Sequence, residues 1–475
     1  MRLSPHCPAG TIQRGSALII MLVIVVLGFT ALLANSLSFA DLNNRRQTQT
    51  AAALVQAREA LIGYAVTYGD THSGKVHGYL PCPNQSGGML GATEGNAAGS
   101  CAGKNISQIG RLPWKELNLP PLRDGNGECL WYAVSGTYKN NTQTDLMNWD
   151  TNGQLQVYAS DGITLLTPAG NQAVAVIFAP GAAQNGQVRT PDASTPNCGG
   201  NYTASNYLDS DGTINNAAIS ALANATSKFR LGTAAGINDQ MLFITRQDIW
   251  NAMQKRNDFL ATLNNMTQKV AECIAYFGAT NGKPIANPAS NKSLPWPAPL
   301  SLADYGVNSN YDDQSGLYAG RVPYKVNNSY STTGNIMLNS NLLVNATNCP
   351  SGWAAAYPWW DNWKDHLFYA LSGEYHPISI ATAPCGNCVT VNGGTSYAAV
   401  VILANNRLSA QTRASETSGA GSALRGILSN YLEGRNASNY PNAGGNADYQ
   451  SQIADSGFND ILYCIRTDLS VAPCP

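Results

Sequence analysis

The stretch SALIIMLVIVVLGFTALLANSLSFA, residues 16–40, decides how the rest of this sequence is interpreted. No charged residue interrupts it, and Asp41 and the pair Arg45-Arg46 follow soon after. As a helix rising about 1.5 Å per residue, a run of this length could cross the hydrocarbon core of a bilayer. The sequence therefore predicts an N-terminal transmembrane helix. We find no second apolar run of spanning length.

The segment before this run is short and polar and ends in Gln13-Arg14-Gly15. An ordinary secretory signal is cut after its apolar run, at small residues. Here the best junction lies before the run, between Gly15 and Ser16. The stretch QRGSALIIMLVIVVLGFTALL resembles the type IV pilin superfamily, in particular minor pilins of the X type and the K-type minor pseudopilin of type II secretion. The alternative is an uncleaved signal anchor that holds an unrelated exported protein.

The resemblance implies processing by a prepilin peptidase at Gly15–Ser16, with methylation of the new N-terminus. Major pilins carry Glu at the fifth mature position, where this chain has Ile20. The departure favours an initiating or tip subunit over a repeated shaft subunit. Implied partners are other minor pilins, the major pilin, the prepilin peptidase, the inner-membrane assembly platform and membrane lipid. The implied location is a single pass in the inner membrane with the bulk in the periplasm, then the cell surface or filament tip.

The helical pattern continues beyond the apolar run. One largely apolar face recurs at spacings of three and four residues, and the helix should end near Gly69-Asp70, where Gly, Ser and His take over. The members of this face are Leu54, Ala57, Leu61, Tyr64 and Tyr68.

Seven short blocks recur in the same order in both halves of the chain, which indicates a tandem duplication. The pairs are ALIGYAVTYGD/ECIAYFGATNG, LPCP/LPWP, GRLPW/GRVPY, YAVSGTY/YALSGEY, AVAVIFA/AAVVILA, NYLDSDG/NYLEGRN and MLFITRQD/ILYCIRTD. The second copy also begins with a helical pattern, from Ile249 to Phe277. Alternation and β-branched residues predict strands in AVAVIFA, AAVVILA and MLFITR.

The predicted fold class is α+β: a long N-terminal transmembrane helix followed by two tandem pilin-like domains, each a helix packed on an antiparallel sheet. The predicted boundaries are a leader at 1–15, the transmembrane and assembly helix at 16–68, a first pilin-like domain at 69–250 and a second, duplicated one at 251–475. A chain of 475 residues is also longer than one hydrophobic core usually supports.

Composition excludes some function classes. Only 12% of residues are charged, the net charge is −1 and no dense Lys/Arg run occurs, so nucleic-acid binding is not predicted. Beyond Cys7 in the leader, an even number of cysteines suits an oxidising compartment and up to five disulfides, the alternative being free core thiols. These candidates are Cys82, Cys101, Cys129, Cys198, Cys273, Cys349, Cys385, Cys388, Cys464 and Cys474.

Two patterns could carry site chemistry. Cys385-Gly-Asn-Cys388 has the spacing of a redox motif, but Pro384 precedes it and a strand-like VTV follows, which favours a structural disulfide. Acidic residues on Gly-rich loops could wrap a Ca²⁺ ion, or be turn formers with solvated carboxylates. The calcium candidates are Asp124, Asn126, Glu128, Asp209 and Asp211. No other cofactor is expected.

No hydrolase, zinc-protease or phosphate-loop motif occurs, so an enzyme is not predicted. His72 and His77 are interpreted as solvated loop histidines. The aromatic cluster Trp353, Tyr357, Trp359, Trp360 and Trp363 is either core, which we favour, or a binding surface for a filament neighbour, sugar or host molecule. The leading function is a minor pilin or pseudopilin that primes or caps a type IV filament. The alternative is an anchored or tip-located adhesin that binds through its distal domain.

Overall fold

The computed structural model describes residues 14–85, 93–232, 236–281, 293–326, 340–343, 349–377, 385–413 and 423–475. Of residues 14–20 and 27–39 only the backbone is described. Most of the predicted leader, with His6 and Cys7, therefore lies outside the described residues.

Helix α1 spans Arg14–Thr71, 58 residues, and ends within two residues of the predicted stop. Its apolar face is confirmed over the C-terminal part, where Leu54, Ala57, Leu61 and Tyr68 are buried. This face lies against two strands of the first sheet and helix α2, described below.

The predicted transmembrane helix is wrong: among the described residues, no helix is long and apolar enough to cross a membrane. Within the apolar run, side chains are described only for Met21–Val26. The predicted single-pass location in the inner membrane, which depended on this helix, is corrected with it.

The first large sheet is built from six strands in the first half of the chain. They are β1 (Gln108–Arg111), β2 (Trp131–Val134), β3 (Leu155–Tyr158), β4 (Ala173–Ala179), β5 (Ser227–Arg230) and β6 (Gln240–Thr245). Strand β4 is central, antiparallel to β2 on one side and to β6 on the other. Strand β1 extends the β2 edge, β3 meets β4 at Ala173, and β5 lies parallel to β3.

The second large sheet follows the same path in the second half. Its strands are β7 (Ala319–Arg321), β10 (Leu367–Leu371), β13 (Ala399–Leu403), β15 (Ile461–Ile465) and β16 (Val471–Pro473), all antiparallel. The order β7-β10-β13-β15 matches β1-β2-β4-β6. Four of the seven pairs of repeated blocks include equivalent strands, on β1 and β7, β2 and β10, β4 and β13, and β6 and β15. The strands predicted in AVAVIFA, AAVVILA and MLFITR are confirmed.

The equivalence extends to single hydrogen bonds. The Tyr132 hydroxyl on β2 donates to the carbonyl of Pro81 at 3.2 Å, and the Tyr369 hydroxyl on β10 donates to that of Pro295 at 3.2 Å. Each bond ties a sheet to its own Leu-Pro-x-Pro loop.

Four shorter helices complete the described helical structure: α2 (Arg246–Met253), α3 (Phe259–Asn281), α4 (Trp353–Trp363) and α5 (Gly434–Ser438). The single helix predicted from Ile249 to Phe277 is wrong, because the chain turns between α2 and α3. At this turn Arg256 donates to Asp70 at 2.6 Å and to Asp258 at 2.7 Å, which holds the turn against the end of α1. Helix α3 lies against β13, β15, β16 and α4.

Small sheets and a shared core separate this fold from the predicted one. Two further sheets join β8 (Lys325–Val326) with β9 (Ser340–Asn341), and β11 (Val389–Val391) with β12 (Ser396–Tyr397) and β14 (Asp448–Tyr449). A single hydrophobic cluster runs from α1 through α2 and α3 to α4 and β13.

The predicted fold class, a transmembrane helix followed by two tandem pilin-like domains, is therefore wrong. The described chain is sheet-rich, with sixteen strands in four sheets. The sequence patterns predict one helix and one antiparallel sheet for each domain and carry no signal for the small sheets, the parallel β3–β5 pair or the common core. The domain boundary at residues 250/251 stays a prediction.

Candidate functional site

The predicted processing residues lie at the start of α1. Arg14 opens the helix, so Gly15, Ser16 and Ile20 fall in its first two turns. Their side chains lie outside the described residues, and processing at Gly15–Ser16 stays a prediction.

One turn further along, α1 presents a fully exposed apolar surface. The exposed fractions are Met21 70%, Leu22 62%, Val23 48%, Ile24 63%, Val25 59% and Val26 52%. Six consecutive residues at 3.6 per turn point in every direction around the helix axis. A helix that is hydrophobic all round belongs in a buried environment. Here no described residue of the same chain covers it.

Packing on α1 begins sharply near Thr50. Residues 41–49 are exposed, including the surface ion pair of Asp41 with Arg45 at 3.1 Å. The buried Thr50 hydroxyl accepts a hydrogen bond from the Gly125 amide at 2.9 Å. Beyond this point the helix is part of the core, so only its N-terminal part projects from the described fold.

An apolar groove runs beside α1 where the projecting part meets the sheet. It encloses about 500 Å³ between α1, at Ala51, Leu54 and Val55, and strand β6, at Met241 and Leu242. Val55 is 51% exposed at its rim. The groove and the projecting apolar part of α1 lie on one continuous helix.

The five calcium candidates do not form one site. In the first loop, buried Asp124 accepts hydrogen bonds from the amides of Asn126, Glu128 and Gly181 at 2.8–3.0 Å, and Glu128 pairs with Arg189 at 3.1 Å. The Asp124 carboxylate therefore caps a turn.

In the second loop the two aspartates have separate partners. Asp211 accepts from the amides of Thr213 and Ile214 and pairs with Arg230. Asp209 is buried, and its backbone amide donates a hydrogen bond to Asp239. Asp239 was not among the candidates predicted from the sequence.

Asp209 and Asp239 form a carboxylate pair that connects two loops through hydrogen bonds. The Asp209 amide donates to Asp239 at 2.8 Å, and the Asn238 amide donates to Asp209 at 2.7 Å. Burial, followed by the negative charge of Asp209, raises the pKa of Asp239 to about 7. The second half has an equivalent carboxylate pair, Glu433 and Asp460. Burial, followed by the negative charge of Glu433, raises the pKa of Asp460 well above its ordinary value.

All ten candidate cysteines form disulfides, in five pairs that connect sequence neighbours along the chain. The pairs are Cys82–Cys101, Cys129–Cys198, Cys273–Cys349, Cys385–Cys388 and Cys464–Cys474. The C-x-x-C motif is thus closed on itself. Within the described residues, it forms with Glu374 the one group of three Cys, His, Asp or Glu side chains close enough to share a metal ion. Because both sulfurs are in a disulfide, they offer no thiolate.

The interpretation of His77 as a solvated loop residue is wrong. His77 is 8% exposed, and its Nδ1 accepts from the Gly69 amide at 3.1 Å. His72 stacks on Tyr68 with ring centroids 3.9 Å apart. Both rings pack at the C-terminal end of α1.

The aromatic cluster is mostly core, as favoured. Trp353, Trp360 and Trp363 are at most 2% exposed on helix α4, which contains Pro358. Tyr357 is half-buried and lines a polar cleft of about 420 Å³ between the two halves of the chain. Other side chains of the cleft are Lys75, Gln143, Asp145, Asn308, Asp361 and Asn362.

A buried charge network also joins the two halves of the chain. His366 is fully buried, with Nε2 2.8 Å from Asp150 and Nδ1 2.9 Å from Asp365. Arg425 donates to Asp365 at 2.7 Å, and Arg413 lies 3.6 Å from Asp150.

The two carboxylates hold the network in its charged form. Burial opposes the charge of Asp365, but His366 and Arg425 outweigh it and lower its pKa to about 2. Burial likewise opposes the charge of Asp150, but Arg413 and His366 hold its pKa below the ordinary value. For His366, burial is outweighed by Asp365 and Asp150, and its pKa is raised.

Comparisons with protein-family models, with curated proteins and with solved structures found no match to this chain. Its function is therefore argued from its own residues.

Proposed function

We propose that this chain is a non-enzymatic structural subunit of a type IV filament system, of the minor pilin or pseudopilin class. The observation that carries the proposal is the projecting part of α1, whose residues Met21–Val26 are apolar on every side and exposed. The N-terminal sequence resemblance supports the same class.

Leaving the apolar surface of Met21–Val26 in water costs free energy. Burying a Val, Leu, Ile or Met side chain is worth about 1.5–3 kcal/mol, so covering these six positions is worth on the order of 10 kcal/mol. Apolar helices of neighbouring subunits would cover them. The groove of about 500 Å³ beside Leu54 and Val55 offers a neighbour a second apolar contact on the same helix.

The place in the filament follows from Ile20 and from size. A subunit without the docking Glu, and with a large body beyond α1, suits initiation or capping better than repetition along a shaft. Its partners would be other minor subunits and the major subunit, delivered by the assembly platform after the prepilin peptidase has acted.

The second candidate function is ligand binding, as in an adhesin. The polar cleft of about 420 Å³ favours it, because its volume is typical of small-molecule sites and both halves of the chain contribute its lining. The two functions are compatible, since a tip subunit can also bind a ligand.

Processing gives the first test. The full chain is produced with and without a prepilin peptidase, and its N-terminal residue is determined by mass spectrometry. We expect a chain starting at Ser16 only with the peptidase, and no cleavage in Gly15→Val. An intact Met1 in both cultures, or a cut after the apolar run, would contradict the filament class.

Deletion of the gene separates the two candidates. Loss of filaments supports the structural function, and complementation with Gly15→Val should not restore them. Loss of attachment with filaments intact would instead support the adhesin function.

A further inference from the structure

A small cleft lies above the buried charge network, between the two halves of the chain. It encloses about 120 Å³ and is lined by Trp149 and Asp150, by one face of helix α2 and by Asn406 and Arg407 after β13. Arg246 and Trp250 come from α2. The first half thus supplies one wall and the second half the other.

Two guanidinium groups in this cleft have no hydrogen-bonded acceptor among the described residues. Arg246 is 7% exposed, and its nearest carboxylate oxygen, Oδ1 of Asp150, lies 3.9 Å away, beyond hydrogen-bond distance. Arg407 makes no hydrogen bond or ion pair within the described chain. A nearly buried guanidinium without an acceptor is costly, so an external acceptor would stabilise it.

The local charge balance is positive. Asp150 is the carboxylate of the cleft, and it already faces His366 at 2.8 Å and Arg413 at 3.6 Å. Burial, followed by the charge of Arg246, lowers the pKa of Arg407, so the two arginines repel each other across the cleft. Asp365 also faces His366, but it is paired with Arg425 as well, so the two carboxylates do not neutralise all of these cations.

Trp149, which also lines the cleft, has an unsatisfied donor of its own. The indole N–H of Trp149 is buried and has no acceptor in the described structure, although the residue is only 4% exposed. Buried donors are almost always paired in folded proteins. The Trp149 donor is one of several buried indole N–H groups in the described chain without an acceptor.

We propose that this cleft binds a small oxyanion of the phosphate type, held between Arg246 of the first half and Arg407 of the second. Guanidinium groups match the geometry of such oxygens and bind them with charge-assisted hydrogen bonds. The bound anion would link the two halves of the chain and stabilise their junction. It is a binding function beyond filament assembly.

The test is calorimetric titration of the full chain with inorganic phosphate at low ionic strength. We expect one saturable site in the wild type, with affinity about tenfold or more weaker in Arg407→Gln. Arg407 is partly exposed, so this variant should fold. Arg466→Gln removes an exposed arginine elsewhere on the surface and should bind phosphate like the wild type.

Two further arms sharpen the result. Arg246→Gln should also lose the site, and phosphate should raise the melting temperature of the wild type but not of Arg407→Gln. Acetate is titrated in parallel; a saturable response to acetate alone would show that the phosphate assignment is wrong. Equal phosphate binding by wild type and Arg407→Gln, or no saturable binding by the wild type, would overturn the proposal.

Discussion

Helices α1 and α3 occupy equivalent places and differ in how much of each is used for packing. Each precedes a sheet of the same strand order and lies against it. Helix α3 has 23 residues, and its buried positions extend from Phe259 to Phe277. Helix α1 has 58 residues, and among its described side chains burial begins at Thr50.

The difference shows which part of α1 the fold needs. A helix of about the length of α3 is enough to cover one face of such a sheet. Among the additional residues of α1 whose side chains are described, residues 21–26 and 40–49 are exposed, and those of Met21–Val26 are apolar on every side. We infer that the sequence of the C-terminal part of α1 serves packing within this chain. The sequence of its N-terminal part serves assembly with other subunits.

The largest expected effects come from removing disulfides, and they test whether disulfides stabilise the two halves equally. Cys129–Cys198 closes a loop with a sequence separation of 69 and Cys273–Cys349 one of 76. Replacing either pair by alanines should lower the free energy of unfolding by about 4 kcal/mol in urea denaturation. Replacing Cys385 and Cys388, separated by 3, should cost about 1.5 kcal/mol. Equal losses for all three pairs would contradict the loop-length argument.

The next effect compares the packed faces of the two helices directly. Leu61 on α1 and Leu263 on α3 are both fully buried. Leu61→Ala and Leu263→Ala should each destabilise the chain by about 3 kcal/mol in thermal or urea unfolding. Val55→Ala, at a position 51% exposed on α1, is the control and should change stability by less than about 0.5 kcal/mol. If Leu61→Ala left the stability unchanged while Leu263→Ala lowered it, the packed faces of α1 and α3 would not be equivalent.

Counted per pH unit, the smallest effect concerns the carboxylate pairs that both halves share. Asp239 has a pKa of about 7 when folded, against about 3.9 when unfolded. The folded chain therefore binds more protons between pH 4 and 7, and stability from this group is present below pH 4 and lost as pH rises toward 7. The expected slope is at most about 1.4 kcal/mol per pH unit.

Asp239→Asn should remove that slope while keeping the hydrogen bonds that Asp239 accepts. The measurement is urea unfolding of wild type and variant from pH 4 to 7.5. Asp460→Asn is the matched variant in the second half and should act in the same direction, because the pKa of Asp460 is also raised. A wild-type-minus-variant difference that does not change with pH would show that Asp239 is ionised throughout.

Local sequence patterns predicted the parts of the fold that local physics determines. The spacing of Leu54, Ala57 and Leu61 predicted the packed face of α1, and AVAVIFA predicted β4 residue for residue. The even cysteine number predicted disulfides, but not their pairing. The order of the repeated blocks corresponds to the matching strand order of the two sheets.

Other predictions failed where a local pattern had more than one structural outcome. Counting apolar residues from Ser16 to Ala40 predicted a membrane span that the described residues do not support. The continuous apolar periodicity from Ile249 to Phe277 gave no sign of the turn at Arg256, which depends on Asp70 from α1. The sequence patterns gave no sign of helix α4, which contains Pro358 and whose Trp353, Trp360 and Trp363 are buried.

The charge network was beyond sequence reasoning. His366 and Asp150 are separated by 216 residues in the sequence. Likewise, Arg246 and Arg407 meet only because the two halves pack together. An isolated buried His or Arg carries no periodic signal, so only the folded structure could place these groups side by side.

The central claim is that the projecting part of α1 contacts other filament subunits. The direct measurement places a photo-crosslinking amino acid at Val23, in cells that assemble the filament, and identifies the captured proteins by mass spectrometry. Ile453, 92% exposed on the body of the chain, is the matched control position. The account predicts crosslinks from position 23 to filament subunits and none from position 453. Absence of subunit crosslinks at position 23, in cells whose filaments contain the protein, would contradict it.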